Sequence, residues 1–234
     1  MLRSAILSGE YAPGRTLPGE RELAVTLGVN RLTLRQALAR LEAEGLVKPV
    51  HGSGTHVLDF RETGGIELVG HLVALGHEGG SSGLKLLASL LELRLTLAVE
   101  VIGMATARAT DDELAALLAM IERQSEQIGT PIAYVRGDLA ITRTIVRMTQ
   151  NLPLVLMTNT LVAQLEQQPG IEFAFLLNPH ATLGFYRRVH ARMVARDVRG
   201  ARRLTRRVLG VLDRFILNML AEPAAGAAHT EVTP

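Results

Sequence analysis

The 234-residue sequence contains no cysteine, and only 3% of its residues are aromatic. The absence of cysteine excludes disulfide scaffolds, thiol nucleophiles and thiolate zinc sites, and it is typical of a reducing compartment. No segment approaches the roughly 20 uninterrupted apolar residues that a membrane span needs, and polar residues soon interrupt the N-terminus, so no signal peptide is predicted. We therefore expect a cytoplasmic protein with no membrane partner.

The formal net charge of +2 conceals an uneven distribution of charge along the chain. Residues 63–184 contain seven basic and twelve acidic residues, whereas residues 185–214 contain ten arginines and two aspartates. This asymmetry is consistent with an anionic partner near the last helices. The alternative interpretation of the arginines is a solvated helix face.

Residues 1–62 have the pattern of short helices followed by a small hairpin. Asn30 can cap a helix over 31–44, and Gly45 can end it. Two β-like segments follow, joined by His51-Gly52-Ser53-Gly54, whose residues tolerate positive φ. The order helix, helix, turn, helix, hairpin predicts a winged helix-turn-helix, an α fold with a small β-hairpin wing.

The remainder of the chain predicts a second, all-α domain. Amphipathic helical patterns separated by Gly, Pro and Asn extend over residues 63–221, and Thr63-Gly64-Gly65 predicts a hinge at the boundary. Residues 222–234 lack periodicity and are rich in Ala, Pro and Thr, so a disordered tail is expected. The fold class is thus mostly α, with a helical bundle after the winged helix.

The third predicted helix has the side chains expected of a DNA-reading helix. Arg31 and Arg35 are four residues apart and share a face, with Thr33 and Gln36 beside them and a leucine stripe opposite. Two such arginines alone would equally suit a solvated face, but the hairpin that follows favours DNA binding. Other candidates that could bracket a duplex are Arg21, Lys48 and His51.

Four segments together resemble the GntR family signature: Leu17–Ala24, Gly28–Leu38, Leu41–Leu46 and His51–Thr55. The resemblance implies that Arg21, Arg31 and Arg35 contact bases or phosphates. It also implies that Thr33 contacts the DNA backbone and that the wing tip, His51 and Gly52, enters the minor groove. Asn30 is also a candidate contact. Asn30 and Leu32 stand where the best-known member of the fatty-acid branch has threonines.

All-helical effector domains of this family commonly hold a divalent metal with one Asp and three His. By resemblance, Asp138 is at the Asp position, but Thr142, Tyr186 and Val208 are at the histidine positions. One carboxylate and a hydroxyl do not make a competent site for a borderline metal, so we predict no metal and no other cofactor. A buried Asp138 would need another partner, such as an arginine across the bundle.

The fatty-acid-responsive branch of the family also lacks these histidines, and the segments Phe60–Gly65 and Leu183–Tyr186 resemble that branch. The resemblance implies a homodimer that binds double-stranded operator DNA and releases it when a long-chain acyl-CoA binds. Leu209, Leu212 and Ile216 replace a glycine, a serine and a tryptophan of the branch's pocket, and two pocket tyrosines appear as Leu165 and Glu172. The candidate ligand-binding residues are Arg94, Asp138, Tyr186, Leu209, Leu212 and Ile216.

Three other functions remain open at this point. The first is a GntR regulator that senses a small carboxylate, amino acid or sugar acid. The second is a constitutive DNA-binding or architectural protein without an effector cavity. The third is an enzyme built on the helical domain, but the histidines are scattered, no catalytic residues are identified, and no phosphate loop or metal motif is present. We therefore expect a regulator that is not an enzyme.

Overall fold

A computed structural model describes residues 1–78, 81–166 and 178–221. The chain divides into two compact units, Met1–Gly79 and Gly80–Pro234. The predicted tail over 222–234, Glu172 and the side chain of Leu165 lie outside the described residues. Within the described ranges, no helix combines the length and the hydropathy needed to cross a membrane.

The N-terminal unit has the predicted winged-helix order. Its helices and strands are α1 (Leu2–Leu7), α2 (Glu20–Thr26), α3 (Arg31–Ala43), β1 (Val47–Val50), β2 (Gly54–Val57), α4 (Phe60–Thr63), a 3₁₀ turn (Ile66–Leu68) and α5 (Val69–Glu78). Leu23, Leu34 and Leu46 are almost completely buried and form its core. The prediction of a helix-turn-helix with a β-hairpin wing is confirmed.

The wing is a two-stranded antiparallel sheet in which Val47 lies opposite Val57 and Val50 opposite Gly54. The second edge of β2 is covered, because the Leu17 N–H donates to the Thr55 carbonyl and the Val57 N–H to the Arg15 carbonyl, both at 2.8 Å. The strand β2 is thus hydrogen-bonded on both edges, and the wing tip at residues 51–53 extends from it.

The helices after the wing belong to the first unit, so this unit extends beyond the boundary predicted at residue 62. The Thr63 hydroxyl donates to the Gly45 carbonyl at 2.7 Å and to the Asp59 carbonyl at 2.9 Å. Gly45 has φ +70°, and a Cβ there would lie 2.3 Å from the Thr63 carbonyl oxygen. Leu68 is 2% exposed in the same core. The glycines after Thr63 predicted a hinge, but these contacts attach α4 and the 3₁₀ turn to the winged helix.

The second unit is a bundle of helices, as predicted. These are α6 (Ser81–Arg108), α7 (Asp111–Ser125), α8 (Pro131–Met148), α9 (Leu152–Glu166), α10 (Pro179–Val194) and α11 (Val198–Ala221). The helices α6 and α11 run antiparallel, because Gly103 lies beside Arg202 and Leu95 beside Gly210. Side chains such as Ile121, Ile141 and Met193 form the core.

Candidate nucleic-acid interface and effector site

The start of α3 is fixed by Asn30. Its backbone is extended, and its side-chain oxygen accepts a hydrogen bond from the Thr33 N–H at 2.8 Å. This is a typical N-cap, which satisfies one of the free N–H groups of the first turn. The side-chain oxygen of Asn30 therefore caps α3. This cap sets the direction in which the first turn of α3 presents its side chains.

The outward face of α3 carries the side chains that the sequence predicted. Leu34 and Leu41 are buried at 1% and 3% exposure, whereas Arg31, Thr33, Arg35 and Gln36 are exposed. Two cationic and two polar side chains are thus available on one side of a helix that the core holds from the other side. Such a face can donate hydrogen bonds to base edges and phosphates.

The Arg35 side chain forms an ion pair with Glu20, a residue that the sequence reasoning missed. Its Nε donates to the Glu20 carboxylate at 2.8 Å, and both side chains remain exposed. Because a guanidinium has five N–H donors, this contact leaves the terminal nitrogens able to donate to a second partner. Glu20 is the first residue of α2, where a helix N-terminus favours an acid, but sequence spacing gives no sign that it meets Arg35.

The remaining candidates lie around α3. Arg21 is exposed on α2, Lys48 is exposed on β1 opposite His56, and His51 and Gly52 are exposed at the wing tip. Gly52 has φ +76°, a left-handed backbone conformation that side chains of other residues rarely tolerate, so the turn requires a glycine there. A groove separates the wing from α2 and α3, and it is lined by residues including Pro18, Glu20, Leu38, His51, Gly52 and Thr55.

The wing also contains a histidine that the sequence reasoning did not single out. The two ring nitrogens of His56 lie 2.9 Å from the Ser53 hydroxyl and 3.3 Å from the Thr16 hydroxyl. These contacts join the tip of the wing to the segment that covers β2. His56 therefore supports the wing, while His51 is presented outward.

In the helical unit, Asp138 on α8 is 5% exposed and lies against Tyr186 on α10. The Tyr186 hydroxyl donates to Asp138 Oδ1 at 3.0 Å. Burial raises the pKa of Asp138 from 3.8 to about 6, although the Tyr186 hydrogen bond and the charge of Arg94 oppose the shift. The expectation of an arginine partner is corrected here, because the hydrogen-bond partner is a phenol and Arg94 acts only through its charge.

A second tyrosine lies near this pair, but few metal ligands do. Tyr134 is fully buried, its hydroxyl donates to the Pro179 carbonyl at 3.2 Å, and burial raises its pKa to about 12. Among the described residues, no group of three or more His, Cys, Asp and Glu side chains could hold a metal ion. A carboxylate already bonded to a phenol, with Thr142 and Val208 at the other positions, does not fit a borderline divalent ion.

The other ligand candidates lie on α6 and α11. Arg94 forms an ion pair with Asp213, which is 7% exposed and whose second carboxylate oxygen has no hydrogen-bond partner among the described residues. Leu209 and Leu212 are half-buried, and Ile216 is 6% exposed. Burial raises the pKa of Asp213, and the charge of Arg94 opposes that shift as it does at Asp138. Arg94 is therefore close enough to both Asp138 and Asp213 to interact with each carboxyl group electrostatically.

These features define a winged-helix DNA-binding protein with a separate helical unit. Residues 1–57 match the family model of bacterial regulatory proteins, gntR family, and residues 89–210 match the FCD domain. The chain therefore belongs to the GntR family of bacterial transcription regulators. This membership confirms the sequence-based identification and the expectation that the protein is not an enzyme.

Two mycobacterial regulators are similar over most of the chain. An uncharacterized HTH-type transcriptional regulator of Mycobacterium tuberculosis is 37% identical over 185 residues, which is 79% of this chain and 69% of the relative. The HTH-type transcriptional regulator Mce2R of Mycobacterium tuberculosis is 30% identical over 220 residues, which is 94% of this chain and 90% of the relative.

Similarity to fatty-acid regulators covers less of the chain. The fatty acid metabolism regulator protein of an Enterobacter species is 37% identical over 113 residues, so the match spans 48% of this chain and 46% of that protein.

Among solved structures, Lar of Listeria monocytogenes has a TM-score of 0.58 and 19% identity, with 94% of both chains covered. That likeness supports the fold alone.

Proposed function

We propose that this GntR regulator binds operator DNA with α3 in the major groove and with the tip of the wing, His51 and Gly52, in the adjacent minor groove. The observation that carries the proposal is the exposed Arg31, Thr33 and Arg35 face of a helix whose opposite side is buried. The burial of Leu34 and Leu41 in the core supports base recognition, because a reading helix must present its side chains in a fixed register.

The test of this proposal is Arg35→Ala, with Arg40→Ala as the matched control. Arg40 is exposed in the last turn of the same helix. A base-reading arginine contributes about 1 to 3 kcal/mol of discrimination, so Arg35→Ala should lower the ratio of operator affinity to random-duplex affinity by about 5- to 150-fold. Arg40→Ala should preserve the ratio. Gel shifts with circular dichroism as a folding check measure both, and an unchanged ratio for Arg35→Ala would remove it from base readout.

The assembled regulator is proposed to be a homodimer on an inverted repeat. A two-fold dimer presents two equivalent α3 helices, which requires two equivalent half-sites. Sedimentation at micromolar concentration, with and without operator, should give the mass of two chains. A monomer under both conditions would contradict the dimer.

Long-chain acyl-CoA is the effector that we propose for the helical unit, with fatty-acid metabolism as the regulated process in the cytoplasm. The partial similarity to fatty acid metabolism regulator proteins supports this assignment. So does the chemistry, because a bundle rich in aliphatic side chains suits an acyl chain and the arginines of residues 185–214 suit the phosphates of CoA.

Titration calorimetry with acyl-CoAs of increasing chain length tests this effector. Each CH₂ withdrawn from water contributes about 0.8 kcal/mol, so the affinity should rise about fourfold per methylene until the site is full. Free CoA should bind far more weakly, and neither divalent ions nor chelators should change binding. Absence of heat or of length dependence would contradict an acyl-CoA effector.

A small carboxylate is the second candidate effector. Arg94 binds the carboxylate of Asp213, and its side chain is still 42% exposed, so its guanidinium can also donate to an anion of this type. The same titration, repeated with small organic acids, amino acids and sugar acids, separates the two candidates. Binding of one of these acids, without the chain-length dependence expected of acyl-CoAs, would favour the small carboxylate as effector.

A further inference from the structure

One apolar side chain interrupts the polar face of α3. Leu32 is the second residue of the helix and is 68% exposed, between the exposed Arg31 and Thr33. A leucine in this position gains nothing from the core of the unit. Its side chain is available to be buried by a partner, which would remove apolar surface from water.

The position of Leu32 on the helix places it at the middle of the outward face. With 3.6 residues per turn, Leu34 and Leu41 lie about 200° and 180° around the helix axis from Leu32. Arg35 and Gln36 lie only about 60° and 40° from it, one turn further along. Leu32 is therefore directed away from the buried stripe and shares its face with the side chains proposed to read DNA.

We propose that Leu32 contacts the C5-methyl group of a thymine in each operator half-site. The inference rests on the proposed function, because it requires α3 to lie in the major groove. Thymine is the only one of the four DNA bases that presents a methyl group there, and apolar side chains contact it. Leu32 cannot donate or accept a hydrogen bond, so its contribution to specificity comes from the fit to this methyl group. Arg31 and Arg35 supply the neighbouring polar contacts.

The experiment removes the methyl group from the DNA and the side chain from the protein in turn. The wild-type protein first selects its preferred duplex from a randomised pool. Each thymine of one half-site, on either strand, is then replaced singly by deoxyuridine, which lacks only the methyl group. Affinity is measured for the wild type and for Leu32→Ala, which keeps helix propensity.

One thymine should show coupling between the two changes. Replacing it with deoxyuridine should weaken wild-type binding about fourfold, the equivalent of one buried methyl group. The same replacement should change the affinity of Leu32→Ala by less than about 1.5-fold, because its partner is already gone. Leu32→Met, which keeps an apolar side chain of similar reach, should retain the sensitivity.

Leu118→Ala provides the matched control, since Leu118 is an exposed leucine on α7 of the helical unit. It should reproduce the wild-type pattern at every thymine. If the wild type selects a duplex but no thymine loses its methyl effect in Leu32→Ala, the contact proposed for Leu32 is overturned while DNA binding stands. If the wild type selects no preferred duplex, both the contact and the proposed function are overturned.

Discussion

At the scale of single residues, Asp138 is a carboxyl group buried in an apolar bundle without a cation bonded to it. The Tyr186 hydroxyl supplies its hydrogen bond, and burial raises the pKa of Asp138 from 3.8 to about 6. The folded protein therefore holds this proton between pH 4 and pH 6, where the unfolded chain releases it. The stabilising contribution of protonated Asp138 is fully present below about pH 4 and is lost as the pH rises through about 6.

We predict that Asp138→Asn becomes more stable relative to the wild type as the pH rises from 4 to 7. The substitution removes the cost of ionising a buried carboxyl, and a shift of about two pKa units corresponds to about 3 kcal/mol. Urea unfolding of both proteins across this range measures the difference. Groups with lowered pKa values, such as Asp197, whose carboxylate accepts the Gly200 N–H, act equally in both proteins and cancel. A stability difference that does not change with pH would contradict the role of Asp138.

At the scale of helices and strands, local chemistry made α3 and the wing predictable. The Asn30 cap, the stop at Gly45 and the glycines of the wing tip each act through a few neighbouring residues. The attachment of α4 was not predictable, because the contact between Gly45 and Thr63 joins residues 18 positions apart. The family resemblance located Asp138 and Tyr186, but only the hydrogen bond between their side chains in the folded bundle shows that they bind each other.

The contact between α2 and α3 leads to the second prediction. Because Glu20 binds Nε of Arg35, it fixes the orientation of the guanidinium, yet it also places a negative charge close to where phosphates would lie. Glu20→Ala should therefore raise the affinity for random duplex and lower the operator-to-random ratio by roughly tenfold, within the range of one base-reading arginine. Fluorescence anisotropy with both duplexes at two salt concentrations measures both effects.

Glu22→Ala is the matched control for this prediction. Glu22 is an exposed acid on the same helix. Its removal should raise the affinity for random and operator duplexes alike, because only the general charge changes. If Glu20→Ala kept the wild-type ratio, or if Glu22→Ala lowered the ratio equally, the orienting role of Glu20 would be excluded.

At the scale of the whole molecule, a ligand-controlled regulator needs energetic coupling between its two units. A ligand shifts DNA affinity only if it binds the DNA-competent and DNA-incompetent states with different free energies. Such coupling is reciprocal, so operator DNA must change ligand affinity by the same factor as ligand changes operator affinity. Typical coupling of about 1 to 3 kcal/mol corresponds to about 5- to 150-fold.

The third prediction is that operator DNA weakens the binding of a long-chain acyl-CoA by the same factor by which that acyl-CoA weakens operator binding. Calorimetry of the full chain with and without saturating operator gives the first factor, and anisotropy with and without saturating ligand gives the second. Arg35→Ala is the internal control, because this variant should bind acyl-CoA normally and should show no effect of operator at a concentration that saturates only the wild type. Equal ligand affinity in the free and operator-bound wild type would leave acyl-CoA as a bound molecule without a regulatory effect. Two unequal factors would show that a further species, such as dissociated chains, takes part in the equilibrium.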